Sequence, residues 1–503
     1  MSEYKIRNFT PGEVAESFSN RHISKEEVAE RSKIKYLFEY LKNLETKTLI
    51  VEKKYVDGNY LEDYSEYYSR CFENYSRMCK RIHFFSCNID DEILEGFITG
   101  EIKNAEEKSL RASYCGFAVA RPLPERVIGR TALRTYPSDG GRRKYQAVVD
   151  VNANLFGADL TVTTLPFQEQ DNVVAACATV ALWSALHKTA ELFNSRAPRP
   201  AAITNTANQV VELQRPVPTG GLKLRQVAHA VRSVGLTPEV IDVQEGTPLI
   251  SLMCSYLQFG LPIILAAKVG EELHAVTVNG FSKVEDRQHS REVANSASSA
   301  RLPDMEGLWV DAFYAHDDGI GPFSRLDIVS GTTEYPVKFE GGWDDPLSPR
   351  ALIIPIYDKM RVTFLDIQEW LMRLDTVVQA IDPTQDKSIR WNVRITTVNE
   401  FKRNLRSNAS LKRKVGINCA KRLLKKSQPR FIWRVEAAHK DTSLFEILAD
   451  STDMGTSLPA YEFIPYNSDF VTQLRRVINA DTGRATLRNT LGTSLLNFLK
   501  EEV

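Results

Sequence analysis

Asp171-Asn-Val-Val-Ala-Ala-Cys177-Ala-Thr-Val-Ala-Leu-Trp183 is a near-continuous apolar run with one thiol in its middle. Its apolar residues fall on nearly every face of a helix, the pattern of a helix buried inside a domain. Further along, His274-Ala-Val-Thr-Val-Asn-Gly-Phe281 has the alternation of a strand, with an imidazole at its start. A thiol needs a base to become a nucleophile at neutral pH. The dipole of a helix favours a thiolate near its first turn, and a histidine on a facing strand can take the proton. The two stretches together point to cysteine-nucleophile chemistry.

The residues between and around them alternate helix and strand signals. Leu165-Pro-Phe-Gln168-Glu-Gln170 precedes the Cys177 helix. Leu222 to Gly235 is an amphipathic helix with a glycine stop, followed by a short strand to Asp242. Pro248 to Phe259 is a second helix, and Gly260 to Ala266 a buried strand. After His274 comes a long polar connection, Ser282 to Asp304, expected to form a flap. The next strand is Leu308-Trp-Val-Asp311-Ala-Phe-Tyr-Ala-His316-Asp317-Asp318.

This order of a glutamine, a cysteine helix, a helix ending in Gly-Leu, a Gly-Leu-Pro-Ile-Ile strand and a His-Ala-Val strand resembles the papain-like cysteine peptidases. The likeness is nearest to the bacterial bacteriocin-leader peptidases, and it spans about residues 160 to 330. The resemblance implies an α+β fold with the cysteine on a buried helix and the histidine and aspartate on an antiparallel sheet. It implies Cys177 as nucleophile, His274 as base and then acid, and an upstream glutamine as oxyanion donor beside the Cys177 amide. Gln170 is the nearer glutamine and Gln168 the runner-up, and spacing does not choose between them. Asp317 fits best as the residue that orients the imidazole, with Asp318 and Asp311 left open. Ala178 follows the nucleophile where family members carry an aromatic or a glycine, which leaves the Cys177 amide free.

The implied activity is hydrolysis of peptide or isopeptide bonds in a protein or peptide substrate, without a cofactor or metal. Acyl transfer by the same trio is the alternative reaction. A non-catalytic scaffold, such as a component of a bacterial defence system, is the alternative of another class. His187 and His316 lack partners at metal-ligand spacing, and Cys71, Cys79, His83 and Cys87 match no common zinc pattern.

The 503 residues suffice for two or three domains, expected at 1–160, 161–335 and 336–503 with α+β accessory modules on either side of the central one. Lys+Arg and Asp+Glu both number 64, so no global field selects nucleic acid or membrane. Seven cysteines without a CxxC pair make a poor disulfide framework and suit a reducing cytoplasm. No signal-peptide core opens the sequence and no apolar run reaches spanning length, so a cytoplasmic protein without membrane contact is expected.

In the N-terminal part, Lys47 to Glu52 is expected as a strand and Tyr60 to Arg81 as a helix; Gly116 to Pro122 and Tyr145 to Val151 are expected as strands. The last third starts with turn-rich Glu340 to Pro346, then a strand from Ala351 and a helix from Phe364. Residues 401–430 hold eleven Lys/Arg and no Asp or Glu. That run is a solvated helical face or a contact for an acidic or nucleic-acid partner at 402–430. Two strands follow, and a helix from Leu487 to Glu501 closes the reading.

Overall fold

The structure, a computed structural model, describes residues 3–171, 176–210, 221–244, 247–284, 303–331, 337–381, 389–439, 442–453, 458–480 and 484–503. It is a mixed α+β protein built on three antiparallel-rich sheets and a separate hairpin. Most of the Ser282–Asp304 connection, and the stretch 172–175 before Cys177, lie outside the described residues. Among the described residues, no helix is long and apolar enough to cross a membrane.

The first sheet has the order β1 (Tyr4–Asn8), β2 (Thr48–Tyr55), β3 (Cys79–Phe85), β4 (Tyr114–Ala120), β5 (Ile128–Leu133). Successive side chains of a strand point to opposite faces, and both faces here are apolar. Leu49 and Val51 of β2 pack with the helices Pro11–Phe18 and Ser32–Asn43. Ile50 between them packs on the other face with Leu94, Phe97 and Leu110. The hairpin of β7 (Val149–Leu155) and β8 (Ala158–Thr164) closes that second face.

The central sheet runs β15 (Val337–Glu340), β14 (Gly321–Ser330), β13 (Val310–Asp317), β11 (Glu272–Lys283), β10 (Ile263–Val269), β16 (Ser348–Tyr357), β9 (Leu236–Asp242). The two-residue β6 (Arg143–Lys144) pairs with β11 as well. The third sheet runs β12 (Asp304–Met305), β17 (Ile389–Thr397), β18 (Phe431–His439), β19 (Thr442–Asp450), β20 (Ala460–Pro465).

These pairings redraw the expected boundaries. β15 and β16 belong to the central sheet although they follow residue 335, because the Glu340–Pro346 turns return the chain into the sheet between β10 and β9. The third sheet shares its core with the central one. One continuous core takes in Leu182, Leu252 and Ile264 of the central part with Leu371, Trp433 and Phe445 of the last third. The Tyr60–Arg81 helix ends at Glu66, and the apolar Ile82-His83-Phe84-Phe85 run belongs to a strand buried on both faces. The strand expected from Tyr145 begins at Val149. The C-terminal helix is two, Arg484–Leu491 and Thr493–Glu502, broken at Gly492 with φ 77°.

The shared core has a measurable consequence. Trp433 is fully buried, edge-on to Tyr256 of the helix Leu249–Phe259 and bonded through Nε1 to the Val362 carbonyl. Trp433→Ala is expected to cost about 3–5 kcal/mol. It should weaken amide-exchange protection of β10 and β11 together with β18. Retained protection in the central strands alone would show that the two parts unfold independently.

Candidate active site

The central sheet brings the histidine and the aspartate together. Thr277 of β11 stands opposite His316 of β13, which sets the end of β13 beside the start of β11. His274 Nε2 lies 2.9 Å from Asp317 Oδ1. The Cys177 side chain is near enough to act on the same ring and favours its charged form. Since Nε2 faces Asp317, Nδ1 is the nitrogen left for the thiol.

Cys177 opens the helix Cys177–Phe193 and is partly exposed, while most of the helix behind it is buried. The helix rests on β11, where Thr277 Oγ1 donates to the Ala181 carbonyl at 2.7 Å. Its N-cap is Ala176, which has no side-chain acceptor for the first-turn N–H groups. Cys177 is the first residue of the helix, so its N–H has no intrahelical acceptor and can face a ligand.

Burial opposes a charge on His274, yet bonds to Asp317 and Cys177 and the fields of Asp317 and Asp318 push its pKa up to about 11. Burial likewise opposes charge on Asp317, but His274, the Trp343 indole and the Gly319 N–H hold it below the usual carboxylate range. Trp343 Nε1 donates to Oδ2 at 2.8 Å and the Gly319 N–H to Oδ1 at 2.8 Å. The Trp343 ring stands edge-on to His274, with centroids 5.0 Å apart. Gly319 leaves the room this requires: a Cβ there would lie 2.2 Å from the indole.

The other acids fall into different places. Asp318 is buried, with Oδ1 at 3.8 Å from His274 Nε2 and neither oxygen hydrogen-bonded among the described residues. Burial pushes its pKa up to about 6, against the pull of His274. Asp311 accepts from Ser282 and Arg325 instead. Asp317 is the carboxylate that meets the imidazole.

Gln168 is buried, its Oε1 accepting from Asn59 Nδ2 at 3.0 Å. It lines a small internal space with Val180, Ala181 and Ser184 of the cysteine helix and with Ala275 and Asp318 beside the histidine. Gln170 is partly exposed, between two buried acids of the same segment, Glu169 and Asp171.

Both segments that carry the site lean on the N-terminal part. Upstream of the cysteine, Phe167 bridges to Thr131, Glu169 pairs with Lys33 at 2.6 Å, and Tyr68 donates to Asp171 at 2.5 Å. After the aspartates, Tyr36 donates to the Pro322 carbonyl at 2.8 Å and its ring fills the space over Gly321. His316 joins the two segments, because its Nε2 bonds the Leu165 carbonyl at 2.8 Å and its Nδ1 accepts from the Phe323 N–H. Burial lowers its pKa to about 3, so it is a neutral structural histidine. His187 is similar, bonded to the Trp183 carbonyl and lowered by burial to about 4.

Trp343, Asn59, Tyr68 and Tyr36 were not singled out in the sequence. Only Trp343 left a signal, an aromatic in the Gly-Gly-Trp-Asp-Asp turn.

Ligand atoms of His274, Asp317 and Asp318 lie within 4.8 Å of one another. The site suits a metal ion poorly, because an indole N–H and a backbone N–H already aim protons at Asp317. Cys71, Cys79, His83 and Cys87 form no cluster. His83 bonds Glu52 and Tyr114, Cys87 meets Ser113, and Cys71 faces the Tyr67 carbonyl. All seven cysteines are free.

Compared with known proteins, the chain matches no family model and no curated sequence.

The raised His274 value has a definite sign. Its folded pKa lies above the ordinary 6.5, so the charged ring adds stability that is complete below 6.5 and is lost as pH rises toward about 11. In Asp317→Asn, with burial less opposed, the imidazole pKa read by NMR should fall toward or below the ordinary range. An unchanged value would show that Asp317 does not hold the ring charged.

Trp343→Phe keeps an aromatic ring but removes one charge-assisted bond. It is expected to cost about 1.5–3 kcal/mol of stability at neutral pH by urea unfolding. A change within error would remove the indole from the account.

Proposed function

We propose that this chain is a thiol hydrolase of peptide or isopeptide bonds with a papain-like central domain. The observation that carries the reading is one imidazole hydrogen-bonded to Asp317, with a cysteine at a helix start acting on the same ring. Such an arrangement is what a nucleophilic cysteine needs: a base for its proton and a third group that orients the base.

In the proposed cycle the Cys177 sulfur attacks the substrate carbonyl carbon while His274 holds the thiol proton. The Cys177 amide stabilises the oxygen that becomes negative, with the Gln170 side chain as second donor and Gln168 as the alternative. The C–N bond then breaks, His274 gives its proton to the departing amine, and a thioester remains. Water attacks the thioester as His274 takes one of its protons, and the acid product leaves with the thiol restored. Asp317 stays ionised throughout and favours the imidazolium, as the bonds that lower its pKa require.

The test is turnover of a mixed peptide library by the full chain, read by mass spectrometry. Cys177→Ala should give no product, and His274→Ala should lose about 10²- to 10⁴-fold in rate. Wild-type turnover by Cys177→Ala would overturn the assignment. With a primary amine added, a free-acid product supports hydrolysis, whereas an amide product makes the reaction acyl transfer.

A further inference from the structure

The basic run does not form one helix but a layer. Val398–Ser407, Ala409–Val415 and Ile417–Lys425 are three short helices whose apolar sides, Phe401, Leu405, Val415 and Leu423, cover Ile432, Leu448 and Ile464 of the third sheet. The opposite face of that sheet is sealed in the main core through Phe431, Trp433 and Phe445. The helices are thus held by the fold from below, and their outer faces are left to solvent.

Those outer faces are cationic without compensation. Arg403, Arg406, Arg413, Lys414, Lys421 and Lys425 are exposed. None of the six forms an ion pair with a described carboxylate, and residues 401–430 contain no acid. Two other cations of the run are already engaged: Arg422 and Lys426 pair with the buried Glu462 at 2.5 and 2.7 Å. Glu400, at the edge of the layer, is bonded to Thr396. In a chain with 64 cationic and 64 anionic side chains, this is a segregated patch and not a reflection of overall charge.

The composition of the patch selects among anionic partners. A protein partner is normally anchored by aromatic or large apolar residues at the centre of the interface. Here Ile417 is the only exposed large hydrophobic, and Phe401, the only aromatic of the run, is buried. A basic cluster alone gives a membrane surface only electrostatic attraction, and the apolar helix faces that would insert are spent on the sheet. Single-stranded nucleic acid would need exposed rings for stacking. What remains is a partner recognised by regularly spaced phosphates alone, which is the backbone of a nucleic-acid duplex.

We infer that the three-helix layer 398–425 is a sequence-independent docking surface for duplex nucleic acid. It stands apart from the proposed thiol chemistry and does not depend on it. The contacts are phosphate contacts, so affinity falls steeply with salt. About six of them weaken binding on the order of 10³-fold between 50 and 200 mM salt.

The experiment is fluorescence anisotropy of the full chain with a labelled 30-base-pair duplex of mixed sequence, titrated at several NaCl concentrations. Binding at 50 mM NaCl with the steep salt dependence is expected, tighter than for a single strand of equal length. Arg413→Gln, Lys414→Gln and Lys421→Gln combined should make the slope of log affinity against log salt shallower by about 3. Lys421→Gln with Lys425→Gln should do so by about 2, and circular dichroism checks that each variant is folded. Cys177→Ala should bind the duplex as the wild type does.

Absence of binding at 50 mM NaCl, or an unchanged slope in both folded variants, would overturn the inference. Equal or tighter capture by polyglutamate would assign the patch to an acidic protein, and by phosphatidylserine vesicles to a membrane surface. Either result would also overturn it.

Discussion

The hydrogen bond between the His274 ring and the buried Asp317 carboxylate is the contact around which the rest of the molecule is arranged. A carboxylate with no solvent exposure would cost several kcal/mol if left unpaired. It is tolerated because three donors converge on it: the imidazole, the Trp343 indole and the Gly319 N–H. Each comes from a different strand or turn, so the charge is stable only when β11, β13 and the turn before β16 are all in register. The same charge fixes the face of the imidazole that remains for Cys177.

Register at that level is over-determined from outside the central sheet. His316, adjacent to Asp317, is tied to the Leu165 carbonyl, and the segment beyond Leu165 is held by Thr131, Lys33, Asn59 and Tyr68. The N-terminal part therefore grips the approach to the cysteine helix and, through Tyr36, the turn that follows the aspartates. The last third supports the site from the other direction by completing the core under the helix Leu249–Phe259 and β10. A site of this kind sits on rigid elements rather than on free loops, which favours preorganised geometry.

What the sequence made legible were features with a local period or a local chemistry. The buried Cys177 helix, the His274 strand and the Asp-Asp end of β13 are each written in a few consecutive residues. Asp317 was separable from Asp318 only by the family likeness until the geometry distinguished them: one is hydrogen-bonded to the ring, the other is buried 3.8 Å from it. Trp343 was hidden because a turn-rich Gly-Gly-Trp-Asp-Asp stretch looks like a boundary when the strand it feeds pairs far back in the chain. Asn59, Tyr68 and Lys33 act across more than a hundred positions, and no local pattern encodes such contacts. The aromatic spacing of 60–81 mimicked a helix, whereas burial of both faces of β3 decided for a strand. The core shared across residue 335 was not legible for a related reason, since apolar residues do not announce which core they will join.

The central claim is that one thiol, at one helix start, is the reactive group. Treating the intact chain with a stoichiometric amount of a peptide vinyl sulfone and mapping the adduct by proteolysis and mass spectrometry tests it directly. The account predicts a single adduct on the peptide containing Cys177, with the other six thiols unmodified and the adduct lost in His274→Ala. First modification at Cys71 or Cys419, or equal labelling spread over several cysteines, would contradict it.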